Sequence, residues 1–126
     1  MTVIDERYYD GFYGEDEIFY ILKDNGIVQK GIGIWDGYLY DIMYDNIKPA
    51  PEGWQGITYH YHVEGLEKFT EEDPWKIDDL SLIYEQFSSV TNDMLRYKES
   101  ADVLHLIIDM IKEAIYKNKE LYLYVE

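Results

Sequence analysis

The dipeptide Asn25-Gly26, set between two runs of strand-forming residues, Ile18 to Lys23 and Ile27 to Trp35, constrains this chain more than any other feature. A two-residue hairpin turn whose twist matches its strands needs positive φ at both central positions, and Asn-Gly adopts that conformation at least cost. The two runs are therefore expected to pair antiparallel. Asp36-Gly37 repeats the turn chemistry before Tyr38 to Tyr44, which predicts a third strand with Tyr38, Tyr40 and Tyr44 on one face. The proline-bearing stretch Lys48 to Gly53 reads as a loop. Beyond it Ile57, Tyr59, Tyr61 and Val63 alternate with Thr58, His60 and His62, the pattern of a fourth strand.

After the acidic connection Glu64 to Pro74 the period changes. Leu80, Ile83, Tyr84 and Phe87 recur at helical spacing, with Asp78 or Asp79 placed to cap the N-terminus and complement the helix dipole. Ser100 is placed to cap a second helix, in which Leu104, Ile107, Ile108, Ile111 and Ile115 form an apolar stripe; helical residues could begin as early as Asn92. Leu121 to Val125 alternates again and suits a short C-terminal edge strand. The expected fold is α+β: an antiparallel β-meander of about four strands, two helices packed on one face, and that short last strand. With 126 residues and no repeat or Gly/Ser linker, the chain reads as one domain, 1–126, in which the polar, glycine-broken residues 1–17 form a loosely docked arm.

Composition narrows the function classes. There is no cysteine, so disulfides and thiolate metal sites are excluded, and a cytoplasmic location fits. The opening MTVIDERYYDG carries acids where an export signal needs a basic region and an apolar run. No stretch approaches the roughly 20 apolar residues of a membrane span. The formal net charge is −15, from 26 acids against 11 bases, far beyond the magnitude of about 2 to 8 that keeps a small domain soluble. Such charge steers a basic partner and disfavours nucleic acid and anionic lipid.

The acids are unevenly spread. Residues 1 to 20 hold six against one base, residues 64 to 93 nine against two, and residues 94 to 126 six against five. The densest stretch, which joins sheet to helix, gives the candidate partner-binding residues Glu67, Glu71, Glu72, Asp73, Trp75, Asp78 and Asp79. Trp75 reads either as an interface anchor or as a core residue at the helix entry, and Trp54 is ambiguous in the same way. A group at Asp36, Asp41 and Asp45 is the next candidate. Most of the 14 tyrosines fit half-buried strand faces, while Tyr8, Tyr9 and Tyr13 in the arm would be free for contacts.

Catalytic signatures are few. His60-Tyr61-His62 on a strand would project two imidazoles to one side with Glu64 in register, enough to suggest a small metal-dependent or acid/base enzyme. Phosphate-binding glycine motifs, GxSxG, HExxH and a cysteine nucleophile are all missing from the sequence. The expectation is a non-enzymatic binding protein without cofactor or metal.

In size, acidity clustered over Glu64 to Asp79, and aromatic richness, the chain resembles the immunity proteins of bacterial contact-dependent and other polymorphic toxin systems. The resemblance covers general character rather than a motif, so it assigns no residue. It implies a basic nuclease-type toxin domain as partner. A phage-type nucleic-acid mimic acting on a host defence protein uses the same physics and is the alternative.

Overall fold

The computed structural model describes residues 3–44, 46–49 and 51–126, leaving Asp45 of the reserve acidic group outside the described residues. The fold is α+β, built on a five-stranded mixed sheet of order β1-β3-β2-β5-β4. The hairpin forms as expected: β2 (Glu17–Asp24) and β3 (Ile27–Trp35) pair antiparallel around Asn25 and Gly26, whose φ values are 51° and 79°.

Its two outer edges are taken by the ends of the chain. β1 (Val3–Tyr8) runs parallel to β3, and β5 (Glu120–Val125) runs antiparallel to β2. The N-terminal segment is thus a sheet strand rather than a loose arm. The turns that follow it are docked as well: Tyr9 is buried, and the Phe12 ring stacks on Trp35 at 4.0 Å. Of the three arm tyrosines Tyr13 alone is largely exposed. β5 is interior instead of at the edge, because the two-residue β4 (Trp75–Lys76) pairs with its outer side.

With both edges of the hairpin occupied, the two further meander strands do not form. Asp36–Met43 is a helix, α1. Its buried residues Tyr38, Leu39, Ile42 and Met43 repeat in pairs four apart, the helical period, while Tyr40 and Tyr44 stack on each other at 4.7 Å on the outer side. The expected strand at 57–63 is likewise helical: α2 (Ile57–Tyr59) runs into a π-helical turn, His60–Glu64. There the adjacent Ile57 and Thr58 are buried while Tyr59 and Val63 are exposed, so the alternation of residue types does not match the burial.

α3 (Leu80–Ser88) and α4 (Lys98–Tyr116) lie where their periodicity places them. The Asp79 carboxylate caps α3 by accepting the Leu82 N–H at 3.0 Å. Ser100 does not cap α4; Tyr97 is the N-cap, and Ser100 is buried inside the first turn. Asn92–Met94 is a separate 3₁₀ turn. The buried stripe of α4 is Val103, Leu104, Ile107, Met110, Ile111 and Ala114, leaving Ile115 partly exposed. It ends on Asn118 at φ 53°, with the Lys119 N–H bonded back to the Ala114 carbonyl.

The main core lies between the helices and one sheet face, which contributes Ile18, Tyr20, Leu22, Ile32, Ile34, Leu121 and Leu123. The other face is closed by the strands' own side chains. Phe19 stacks on Tyr124 at 4.8 Å, and Ile21 lies flat across Gly31, where a Cβ would meet its Cδ1 at 2.6 Å. Among the described residues no helix is long and apolar enough to cross a membrane.

Candidate acidic and aromatic surface

The fold divides the acidic segment among three places. Glu67, on the 3₁₀ turn Leu66–Lys68, joins Asp16 and Asp36 in lining a recess of about 120 Å³, together with Tyr61. Glu71 accepts from the Tyr124 hydroxyl at 3.4 Å on the opposite side of the sheet. Glu72 and Asp73 are exposed between these sites. Asp78 and Asp79 flank the start of α3, where Asp79 already serves as its cap.

Trp75 is half-buried on β4, with its ring 4.3 Å from His60 and 5.8 Å from Phe69. It packs as part of the wall beneath the π turn. Trp54 stacks on His62 at 4.3 Å. The two histidines consequently do different things: His60 Nδ1 meets Glu64 Oε1 at 2.7 Å, while His62 lies on an indole and burial lowers its pKa. Lys68 takes the other oxygen of Glu64 at 2.7 Å. Among the described residues no three histidine or carboxylate side chains are grouped to hold a metal ion.

Acids far apart in sequence meet at one end of the sheet, where β2 begins and β3 and β5 finish. The Asp36 N–H bonds to the Asp16 carbonyl, and Glu17 and Glu126 exchange backbone hydrogen bonds. Asp36 stands in the first turn of α1, where a helix dipole ordinarily favours a carboxylate. Its pKa is nevertheless raised, first by burial and then by Asp16, Glu67 and Glu15. Desolvation and like charge together outweigh the dipole.

Glu17 is the second unusual carboxyl. It is 7% exposed and lies over Gly33, whose missing Cβ makes the room: a methyl there would be 2.1 Å from Glu17 Oε2. Oε2 has no hydrogen-bond donor among the described residues. The group faces the carboxyl of Glu6 on β1, with which it can bond only by sharing a proton. Burial first, then Glu6 and Glu126, push Glu17 up to about 8.

Beside this acidic end, across the junction Trp35 to Gly37, lies an aromatic recess of about 270 Å³ walled by Trp35, Tyr40, Tyr44, Met94 and Tyr97. Asp41 forms its floor, with a carboxylate that accepts the Arg96 N–H at 3.0 and 2.9 Å and the Tyr97 N–H at 2.9 Å. These bonds fasten the segment before α4 against α1. The Trp35 indole donates to Glu15 Oε1 at 3.1 Å, linking the aromatic wall to the acidic end.

Of the seven candidate partner-binding residues Glu67 alone enters the converged acidic end, where it meets Asp36 of the second candidate group. Glu6, Glu15, Asp16, Glu17 and Glu126 were missed as a group. The acid-rich count in residues 1 to 20 was the available signal, but nothing local said that Asp36 and Glu67 would join them. Comparison with protein families, with curated proteins and with solved structures finds no match to this chain.

Proposed function

We propose that this chain is a non-catalytic acidic binding protein that neutralises a basic protein partner in the cytoplasm, in the manner of an immunity protein blocking a nuclease-type toxin domain. One observation carries the reading: Asp16, Asp36 and Glu67 line one recess, and the buried Glu17 next to Asp16 is paired through its backbone with Glu126. Gathering carboxyl groups in this way raises the energy of the free protein. An arriving cluster of Arg and Lys would relieve it, with charge-assisted hydrogen bonds to carboxylates that have no basic ion-pair partner among the described residues.

A nucleic-acid mimic would gain from carboxylates spaced along a ridge. The gathering of acids at one end, against an aromatic recess, supports an anchored protein interface instead.

The test is stopped-flow binding to a panel of basic nuclease-type toxin domains, with lysozyme and cytochrome c as controls for charge alone, at about 150 mM salt. At least one toxin domain is expected to bind far more tightly than the controls, with association slowing as salt rises. The combined change Asp16→Asn, Asp36→Asn and Glu67→Gln should slow that association at least tenfold. Binding no better than the controls, or association indifferent to the triple change, would overturn the reading.

A further inference from the structure

The aromatic recess holds about 270 Å³, and its walls are side chains that a folded protein ordinarily covers. Tyr40, Tyr44, Met94 and Tyr97 are each more than two-fifths exposed, and they are neighbours around one opening. Tyrosine, tryptophan and methionine are enriched at the centres of protein interfaces, where rigid rings give contact area at little entropic cost.

The recess is also preorganised. Tyr40 and Tyr44 stack at 4.7 Å with 15° between their planes, and Trp35 meets Tyr97 at 5.7 Å. The Trp35 ring folds back over Gly37, where a Cβ would lie 2.3 Å from it, and is held by the Phe12 stack and the bond to Glu15. Asp41 fixes the far wall through its three backbone hydrogen bonds.

The electrostatics select the occupant. The ring faces carry negative quadrupole charge, Glu15 holds the indole, Asp36 stands in sequence between the lining residues Trp35 and Gly37, and Asp41 lines the recess with its carboxylate bonded to the Arg96 and Tyr97 amides. Among the described lining residues Arg96 is the basic one. A flat cation suits such a site better than a compact one, because a guanidinium can stack on a ring and still donate in its plane.

We propose that this recess is the anchor pocket for an arginine side chain of the basic partner, whose neighbouring basic residues meet Asp16, Asp36 and Glu67 across the Trp35–Gly37 junction. The proposal rests on the reading that the partner is basic, and it adds which basic residue is anchored and where.

Isotope-labelled protein titrated with deca-arginine and with deca-lysine, followed by NMR, tests it without the partner in hand. The arginine peptide should bind roughly threefold to tenfold more tightly than the lysine peptide, as expected for stacking on exposed rings, and should shift the Trp35 indole resonance. Tyr40→Leu with Tyr44→Leu keeps apolar bulk but removes both π faces. It should abolish the arginine preference while leaving lysine binding within about twofold, which also serves as the check on folding.

An arginine preference untouched by the tyrosine changes, or a stationary indole, overturns the anchor pocket while leaving the acidic reading intact. Binding of both peptides that is indifferent to Asp16→Asn, Asp36→Asn and Glu67→Gln overturns the acidic reading itself.

Discussion

Replacing Glu17 by Gln should make the protein more stable at alkaline pH and leave it little changed in acid. The folded carboxyl titrates near 8 against an ordinary 4.5, because it is buried and faces Glu6 and Glu126. Below the unfolded pKa both states hold the proton, so the group's contribution is fully present. Between the two values the folded state holds more protons than the unfolded state, and stability falls as pH rises. Above about 8 the contribution is lost, and an ionised carboxylate remains over Gly33 beside Glu6 and Glu126, with Tyr9 and Tyr124 also in its field. An unsatisfied buried polar group costs about 1–3 kcal/mol, and more when charged. The neutral isostere should therefore gain roughly 2–3 kcal/mol over the parent at pH near 9.5. For a domain of this size that is roughly 6–15 °C in Tm. Thermal unfolding of parent and variant in matched buffers from about pH 4 to 9.5 measures the difference directly. Taking the difference cancels the opposite trends of Glu64, Glu113 and Glu120, whose pKa values are lowered by basic partners or hydrogen bonds. A difference that is flat with pH, or that grows toward acid, would refute the argument that Glu17 is protonated in the fold.

Four further outcomes are expected. Gly37→Ala in the first turn of α1 would ordinarily be neutral or stabilise by up to about 1 kcal/mol. Here the Cβ meets the Trp35 ring, so equilibrium denaturation should show a net loss of roughly 1–2 kcal/mol, with altered Trp35 emission. Asp41→Asn weakens the carboxylate's hold on the Arg96 and Tyr97 amides and should cost about 1–3 kcal/mol, with faster hydrogen exchange at those amides. Phe87→Ala empties a fully buried site and should cost about 3–5 kcal/mol by urea unfolding, whereas Glu72→Gln at an exposed position should change stability by less than about 0.5. His60→Gln with His62→Gln should leave the metal content of the purified protein unchanged; stoichiometric zinc lost in the double variant would overturn that expectation.

What could be read from the sequence was what neighbouring residues decide among themselves. Asn25-Gly26 forms its hairpin because positive φ is a property of those two residues and pairing follows directly from the turn. The spacing of Ile83 and Phe87, and of Leu104, Ile107 and Ile111, gives helices because one periodic face can be buried against almost any sheet. Asp79 caps α3 because capping reaches only three residues. Asp36 to Tyr44 and Ile57 to Val63 were different. Their aromatic and β-branched residues fit a strand as well as a helix, and the choice fell to which segments reached the edges of the hairpin. β1 and β5 took those edges, so the intervening chain became helical and covered the core. The surface followed from the same competition. Pairing β1 with β3 sets Glu6 opposite Glu17 over Gly33, and turning Asp36 into a helix start brings it to Asp16 and Glu67. Net charge is additive and can be counted along a chain, but desolvation and like-charge crowding depend on distance in space, which only the tertiary structure sets.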